Sequence, residues 1–140
     1  MIRFKRTCLH AVIPKRKTDG AAGFDLYAAH GSKIHPGGCA LISTGIAMAI
    51  PQGQVGLIRP RSSLAMRGIT VDAGVIDADY RGEIKVLLTA WPNADELTVK
   101  TGDRIAQLIV LQRETLAVEV DELPETVRGD GGFGSTGVAG

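Results

Sequence analysis

Only two cysteines and three histidines occur among the 140 residues. Cys8 and Cys39 make neither a metal-ligand spacing nor a disulfide framework. His10, His30 and His35 form no ligand spacing with one another or with them, and zinc needs several clustered ligands. The histidines therefore read as surface or satisfied structural groups, and the thiols as free in a reducing compartment. An excess of one charge sign is also missing. Sixteen Lys and Arg against fifteen Asp and Glu leave a net charge of +1, which gives no global attraction to nucleic acid or a membrane surface. No apolar run is long enough to span a bilayer. The opening Met1-Ile2-Arg3-Phe4-Lys5-Arg6 is charged but is not followed by an apolar signal region. The expectation is a cytoplasmic or nuclear protein with no membrane partner and no direct nucleic-acid binding.

The chain carries 44% hydrophobic and 22% charged residues, one domain's worth of ordinary globular sequence. Eighteen glycines are too dispersed for a linker and read as turns and close backbone approaches. A basic cluster at Lys15, Arg16 and Lys17 and an acidic one from Glu114 to Glu125 read as solvated faces. Over residues 83–91, Ile84, Val86, Leu88 and Ala90 alternate with Lys85, Leu87 and Thr89, the period of two of a strand. Residues 44–50, 55–59, 104–112 and 116–120 are similar short runs, with turn residues at 51–53, 93–95 and 101–103. Residues 62–67 fit a single helical turn, and residues 71–75 read as a hairpin tip with β-branched residues flanking a glycine. Many short strands without βαβ alternation predict an all-β barrel or sandwich. After Pro124 the pattern stops. The division expected is a β-barrel domain over residues 1–127 and a flexible C-terminal arm over 128–140.

Three segments carry candidate chemistry. In the tail, Gly131, Gly132, Gly134 and Gly137 surround Ser135 and Thr136, with Arg128 supplying charge. Converging backbone N–H groups and hydroxyls suit an anion, and an arginine fork suits phosphate. Phe133 has no strand to pack on and is available to stack on a base. The alternative is a terminus with nothing to bury. The second segment, Arg59-Pro-Arg-Ser-Ser-Leu-Ala-Met-Arg67, is either a phosphate site at a helix start or a serine N-cap with surface arginines. In the third, Ala73-Gly-Val-Ile-Asp-Ala-Asp-Tyr-Arg-Gly82, Asp77 follows an apolar pair that holds it at the core edge, where a general base can act through water. Asp79 reads as solvent-facing. Asp25 is a second acid beside a glycine turn. Magnesium needs only one or two carboxylates when phosphates supply its other ligands, so these residues suggest Mg²⁺-assisted phosphoanhydride chemistry.

In order along the chain, five segments resemble the motifs of the trimeric dUTPase family. They are Ala22-Gly-Phe-Asp-Leu26, Pro60-Arg-Ser-Ser-Leu-Ala65, Ala73 to Gly82, Gly102-Asp-Arg-Ile-Ala-Gln-Leu-Ile109 and Arg128 to Gly137. The resemblance implies a jelly-roll-like β fold and a homotrimer whose three sites lie at subunit interfaces, each closed by a mobile glycine-rich arm. It implies hydrolysis of dUTP to dUMP and pyrophosphate with Mg²⁺, which limits uracil incorporation into DNA and supplies dUMP for dTMP synthesis. By the same resemblance, Asp77 activates the water that attacks the α-phosphorus, and Asp25 holds Mg²⁺ through water. Arg61, Ser62, Ser63 and Gln107 bind phosphates. Tyr80 packs under the sugar and leaves no room for a 2′-hydroxyl. Backbone groups around Val71, Gly74 and Ile76 read uracil. Phe133 and Gly134 close over the base, with Arg128, Ser135 and Thr136 on the terminal phosphates.

Two residues depart from the family pattern, and both bear on efficiency rather than on the reaction. Ser63 stands where the second motif commonly has Gly, and Val71 where many members have Asn. The turn containing Trp91 and Pro92 also differs. Two alternatives stay open at this point: a dCTP deaminase on the same fold, and a nucleotide-dependent regulatory binding protein.

Overall fold

In the computed structural model, residues 1–114 and 116–131 are described. Ten strands and one helical turn follow in chain order. The strands are β1 (Arg3–Arg6), β2 (Phe24–Tyr27), β3 (Ser32–Ile34), β4 (Cys39–Ala49) and β5 (Gln54–Arg59), then β6 (Ile69–Asp72), β7 (Val75–Ile76), β8 (Glu83–Ala90), β9 (Leu97–Val99) and β10 (Arg104–Gln112). The helical turn α1 (Ser62–Ala65) lies between β5 and β6. One sheet has the order β1-β4-β8-β6 and a second β2-β10-β5-β7, while β3 and β9 make a two-stranded ribbon. All pairs are antiparallel. This is an all-β, jelly-roll-like architecture. Among the described residues no helix is long and apolar enough to cross a membrane.

The core is one continuous layer of aliphatic side chains between the two sheets. Ile42, Ile46, Ile84, Val86 and Leu88 come from one sheet, and Leu26, Ile58, Ile105 and Leu108 from the other. In β8 the alternation read from the sequence is realised, with Ile84, Val86, Leu88 and Ala90 buried. Aromatic rings stay at the edge of this layer. Phe4 and Phe24 meet edge to face at 5.7 Å, and the Arg16 guanidinium lies 4.6 Å over the Phe24 ring.

Strand β4 departs from strict alternation. Its register against β8 shifts between Ser43 and Ile46, a bulge that leaves Thr44 and Gly45 without regular partners. Buried Thr44 compensates: its hydroxyl donates to the Ile84 carbonyl at 2.6 Å and accepts from the Ile46 N–H at 3.2 Å. The Gly45 N–H donates to Glu83 Oε1 at 2.8 Å. No buried side-chain polar atom among the described residues lacks a partner.

Two expectations are corrected. Residues 71–75 are not a hairpin tip, because β6 pairs with β8 and β7 pairs with β5. The turn itself is real: Ala73 and Gly74 both have positive φ, +55° and +90°. It forms a corner where the chain leaves one sheet for the other. Residues 116–120 were expected to form a strand, yet the described ones join no sheet. Their apolar side chains Leu116, Val118 and Val120 lie exposed.

Candidate active site

The second sheet brings three motif segments together. Asp25 on β2 lies opposite Gln107 on β10, which in turn lies opposite Arg59 on β5. Directly opposed residues share a sheet face, so these three side chains form one polar row. Beyond β5 the chain turns through Pro60 and Arg61 into α1. The Gln107 amide donates to the Pro60 carbonyl at 3.1 Å, fixing that turn against β10. Gly23 lets the Gln107 side chain lie close over β2: a Cβ there would stand 2.9 Å from Gln107 Oε1 and 3.1 Å from Gln107 Cβ.

Asp25 is the hub of this cluster. Arg104 Nη1 donates to Asp25 Oδ2 at 3.2 Å, and Arg61 Nε stands 3.9 Å from Asp25 Oδ1. Arg61 Nη1 also donates to the Arg104 carbonyl at 3.1 Å. The Asp25 side chain is only 17% exposed, against 28% for Arg61 and 36% for Arg104. One carboxylate between two guanidiniums leaves a net positive surface, suited to a polyanion. Its two arginines, Arg61 and Arg104, also line a cleft of about 460 Å³ together with Tyr27, Leu64, Arg67 and Asp103.

Ser62 and Ser63 open α1, in sequence between Arg61 and Leu64 of the cleft lining, and are exposed. The N-cap is Arg61, with no side-chain capping bond, so the serine-cap reading is not realised. The Arg61 side chain is instead turned toward Asp25 and the Arg104 carbonyl.

The third segment forms a separate hollow of about 280 Å³, lined by Gly74, Val75, Ile76, Asp77 and Tyr80. A Cβ on Gly74 would stand 2.9 Å from the Ile58 carbonyl oxygen, and the Ile58 N–H donates to the Gly74 carbonyl at 2.7 Å. Val71 pairs with Leu88 and packs against the core, and the Ile76 side chain is buried in it, so only their backbones face outward chemistry. The Tyr80 hydroxyl donates to the Glu83 carbonyl at 2.9 Å, and the ring covers Gly82 so closely that no side chain fits there. Asp77 and Asp79 are exposed, and both also line a neighbouring hollow with Gln54 and Arg113.

These two sites share no residue. The register gives their separation. Ile76 opposes Gly56, which sets Asp77 level with Val55, four residues along β5 from Arg59 in the Asp25 row. At ~3.3 Å per residue that is about 13 Å, and three strand spacings from β2 to β7 add about 14 Å at right angles. Asp25 and Asp77 of one chain thus stand about 19 Å apart.

Of the tail residues, Arg128 is exposed and donates through Nε to the Gly131 carbonyl at 2.7 Å, joining neither site. Phe133, Gly134, Ser135 and Thr136 lie outside the described residues. Arg104 was missed by the sequence reading. Strict alternation sends residues 104 and 107 to opposite faces, and only a bulge makes both face Asp25. The one signal present was an arginine inside the same short segment as Gln107.

Whether these residues suit Mg²⁺ depends on its source. No group of three or more His, Cys, Asp or Glu among the described residues is placed to hold a metal. A single oxygen donor, Asp25, beside two guanidiniums fits an ion that arrives already chelated by phosphates.

Comparison with known proteins agrees with this geometry. The dUTPase family model matches residues 10–137. The deoxyuridine 5′-triphosphate nucleotidohydrolase of Arabidopsis thaliana is 53% identical over 97% of this chain and 82% of its own length. That of Mycolicibacterium gilvum is 52% identical over 89% and 87%. Among solved structures, the Staphylococcus bacteriophage 80alpha dUTPase G164S mutant with dUpNHpp superposes with a TM-score of 0.90, at 25% identity and 99% coverage of both chains. The motif order, the fold and these relatives lead to one conclusion: the chain belongs to the dUTPase family.

Proposed function

We propose that this protein hydrolyses dUTP to dUMP and pyrophosphate, as a homotrimer and with Mg²⁺. The observation that carries the reading is the convergence of three motif segments on Asp25, in a chain about half identical to proteins named deoxyuridine 5′-triphosphate nucleotidohydrolase.

The triphosphate lies over the Asp25 row. Arg61 and Gln107 take phosphate oxygens, with Ser62 and the Ser63 N–H at the rim, and stabilise charge developing on the leaving pyrophosphate. When bound, Mg²⁺ neutralises phosphate charge and orients the chain of phosphates, with Asp25 holding it through water. The base and sugar lie in the other hollow. Tyr80, tied to the Glu83 carbonyl, packs under the deoxyribose and rejects a 2′-hydroxyl. Backbone groups at Val71, Gly74 and Ile76 read uracil, and such rejection by mismatched polar groups is strong. Asp77 accepts a proton from the water attacking the α-phosphorus.

A separation of about 19 Å is too long for Asp25 and Asp77 of one chain to act on a single phosphate group, since catalytic contacts need about 3 Å. A site joining the Asp25 row of one subunit to the Asp77 hollow of another removes the difficulty. The exposed Leu116, Val118 and Val120, alternating like a strand without a sheet, support association with further copies. Residues 128–140 then act as an arm that closes a neighbour's site, with Phe133 and Gly134 on the base and Arg128, Ser135 and Thr136 on the phosphates.

The test is to incubate the purified full chain with Mg²⁺ and, separately, dUTP, dTTP, dCTP and UTP, following pyrophosphate and ammonia release. Turnover confined to dUTP, without ammonia from dCTP, is expected. A folded protein inactive on dUTP overturns the reading.

A further inference from the structure

Arg104 is the residue in this cluster that the mechanism leaves unused. Its position depends on a local irregularity. In β10, Arg104 opposes Tyr27 while Gln107 opposes Asp25, with a register shift between Arg104 and Ala106. Three residues of β10 therefore cover two of β2, and Ile105 and Ala106 are buried in succession. A regular strand puts residues three apart on opposite faces. The extra residue brings Arg104 and Gln107 onto the same face as Asp25.

Arg104 then makes two contacts of different kinds. Its guanidinium holds Asp25 Oδ2 at 3.2 Å, the shorter of the carboxylate's two ion pairs. Its main-chain carbonyl accepts from Arg61 Nη1 at 3.1 Å. We propose that Arg104 is a positioning residue: it fixes the Asp25 carboxylate, while its carbonyl fixes the Arg61 guanidinium. This rests on the dUTPase reading and deepens it. When a metal-chelated triphosphate arrives, Arg61 is drawn to phosphate oxygens, and Arg104 keeps Asp25 from swinging away. The side-chain contribution acts through Asp25 and is lost when Asp25 cannot accept an ion pair.

The test is a double-mutant cycle in the full-length oligomer, with affinity for Mg²⁺–dUpNHpp measured by calorimetry and kcat for dUTP alongside. Arg104→Gln is expected to weaken analogue binding about tenfold and lower kcat in the otherwise native protein, but to change binding less than about twofold in the Asp25→Asn background. Arg104→Lys, which keeps a charge near Asp25, restores most of the loss. If Arg104→Gln melts early, Arg104→Met, which retains the aliphatic stem, takes its place in the cycle. Equal losses in both backgrounds, or no loss in either, overturn the proposal. An unsubstituted protein that neither binds the analogue nor turns over dUTP overturns the underlying reading instead.

Discussion

Gly45 is the single residue on which the longest strand depends. Its φ of +66° lies in the left-handed region, and an added Cβ would meet Ala11 Cβ at 2.9 Å and the Cys8 sulfur closer still. Gly45→Ala is expected to cost about 2–3 kcal/mol, by backbone strain and overpacking together. Urea unfolding checks this, and a change below about 0.5 kcal/mol would mean that the bulge relaxes freely. Asp77 is the opposite case. It is exposed, so Asp77→Asn should leave the melting temperature unchanged while lowering kcat about a thousandfold, the scale of a lost general base. Native turnover in that variant would remove Asp77 from the mechanism. At this scale the sequence signals that single out a residue are local: a glycine turn beside Asp25, an apolar pair before Asp77. Arg104 was hidden because its contact depends on an inserted residue, and alternation alone points it the wrong way.

The ribbon of β3 and β9 gives the clearest pH dependence of any element. Glu96, just before β9, takes a hydrogen bond from Lys33 Nζ at 3.1 Å and lies 2.8 Å from His35 Nδ1. The Lys33 hydrogen bond first, then its charge, hold the Glu96 carboxyl below its ordinary 4.5. A lowered folded-state pKa gives stabilisation that is present above pH 4.5 and fades as pH falls through the lower value. Solvent exposure makes it small and easily screened. Glu96→Gln should therefore melt slightly below the native protein at pH 7 in low salt, with the difference shrinking as pH falls below 4.5 and vanishing in 1 M salt. A difference that survives high salt would point to packing instead. Elements with one apolar face, such as β8, were legible because burial follows a period of two. The corner at residues 71–75 was not. Positive φ at Ala73 and Gly74 serves a hairpin and a sheet-to-sheet corner equally, and only long-range pairing tells them apart.

For the whole molecule, the all-β class was readable from short alternating runs, but the partition into two sheets was not, because pairing partners lie far apart in sequence. The exposed alternation at Leu116, Val118 and Val120 explains the strand that the sequence announces and the single chain lacks. Light scattering should give a mass of about 44 kDa, three times the 14.8 kDa chain. Ending the chain at Val127 should preserve that mass and the melting temperature while abolishing turnover. A truncated protein that falls to monomer would show that the arm holds subunits together rather than closing a site. The bulge in β10 also marks where the length of this strand can change. In a strand one residue is half a wavelength, and the extra residue between Arg104 and Ala106 acts as a phase shift. Deleting Ile105 would heal the ladder and leave Arg104 and Gln107 two residues apart on the face of Asp25, at the cost of one buried side chain. Deleting Val110, in the regular stretch against β5, would instead turn every side chain on one side of the cut to the opposite face. Along β10 a one-residue loss keeps its faces at the bulge and inverts them in the regular stretch.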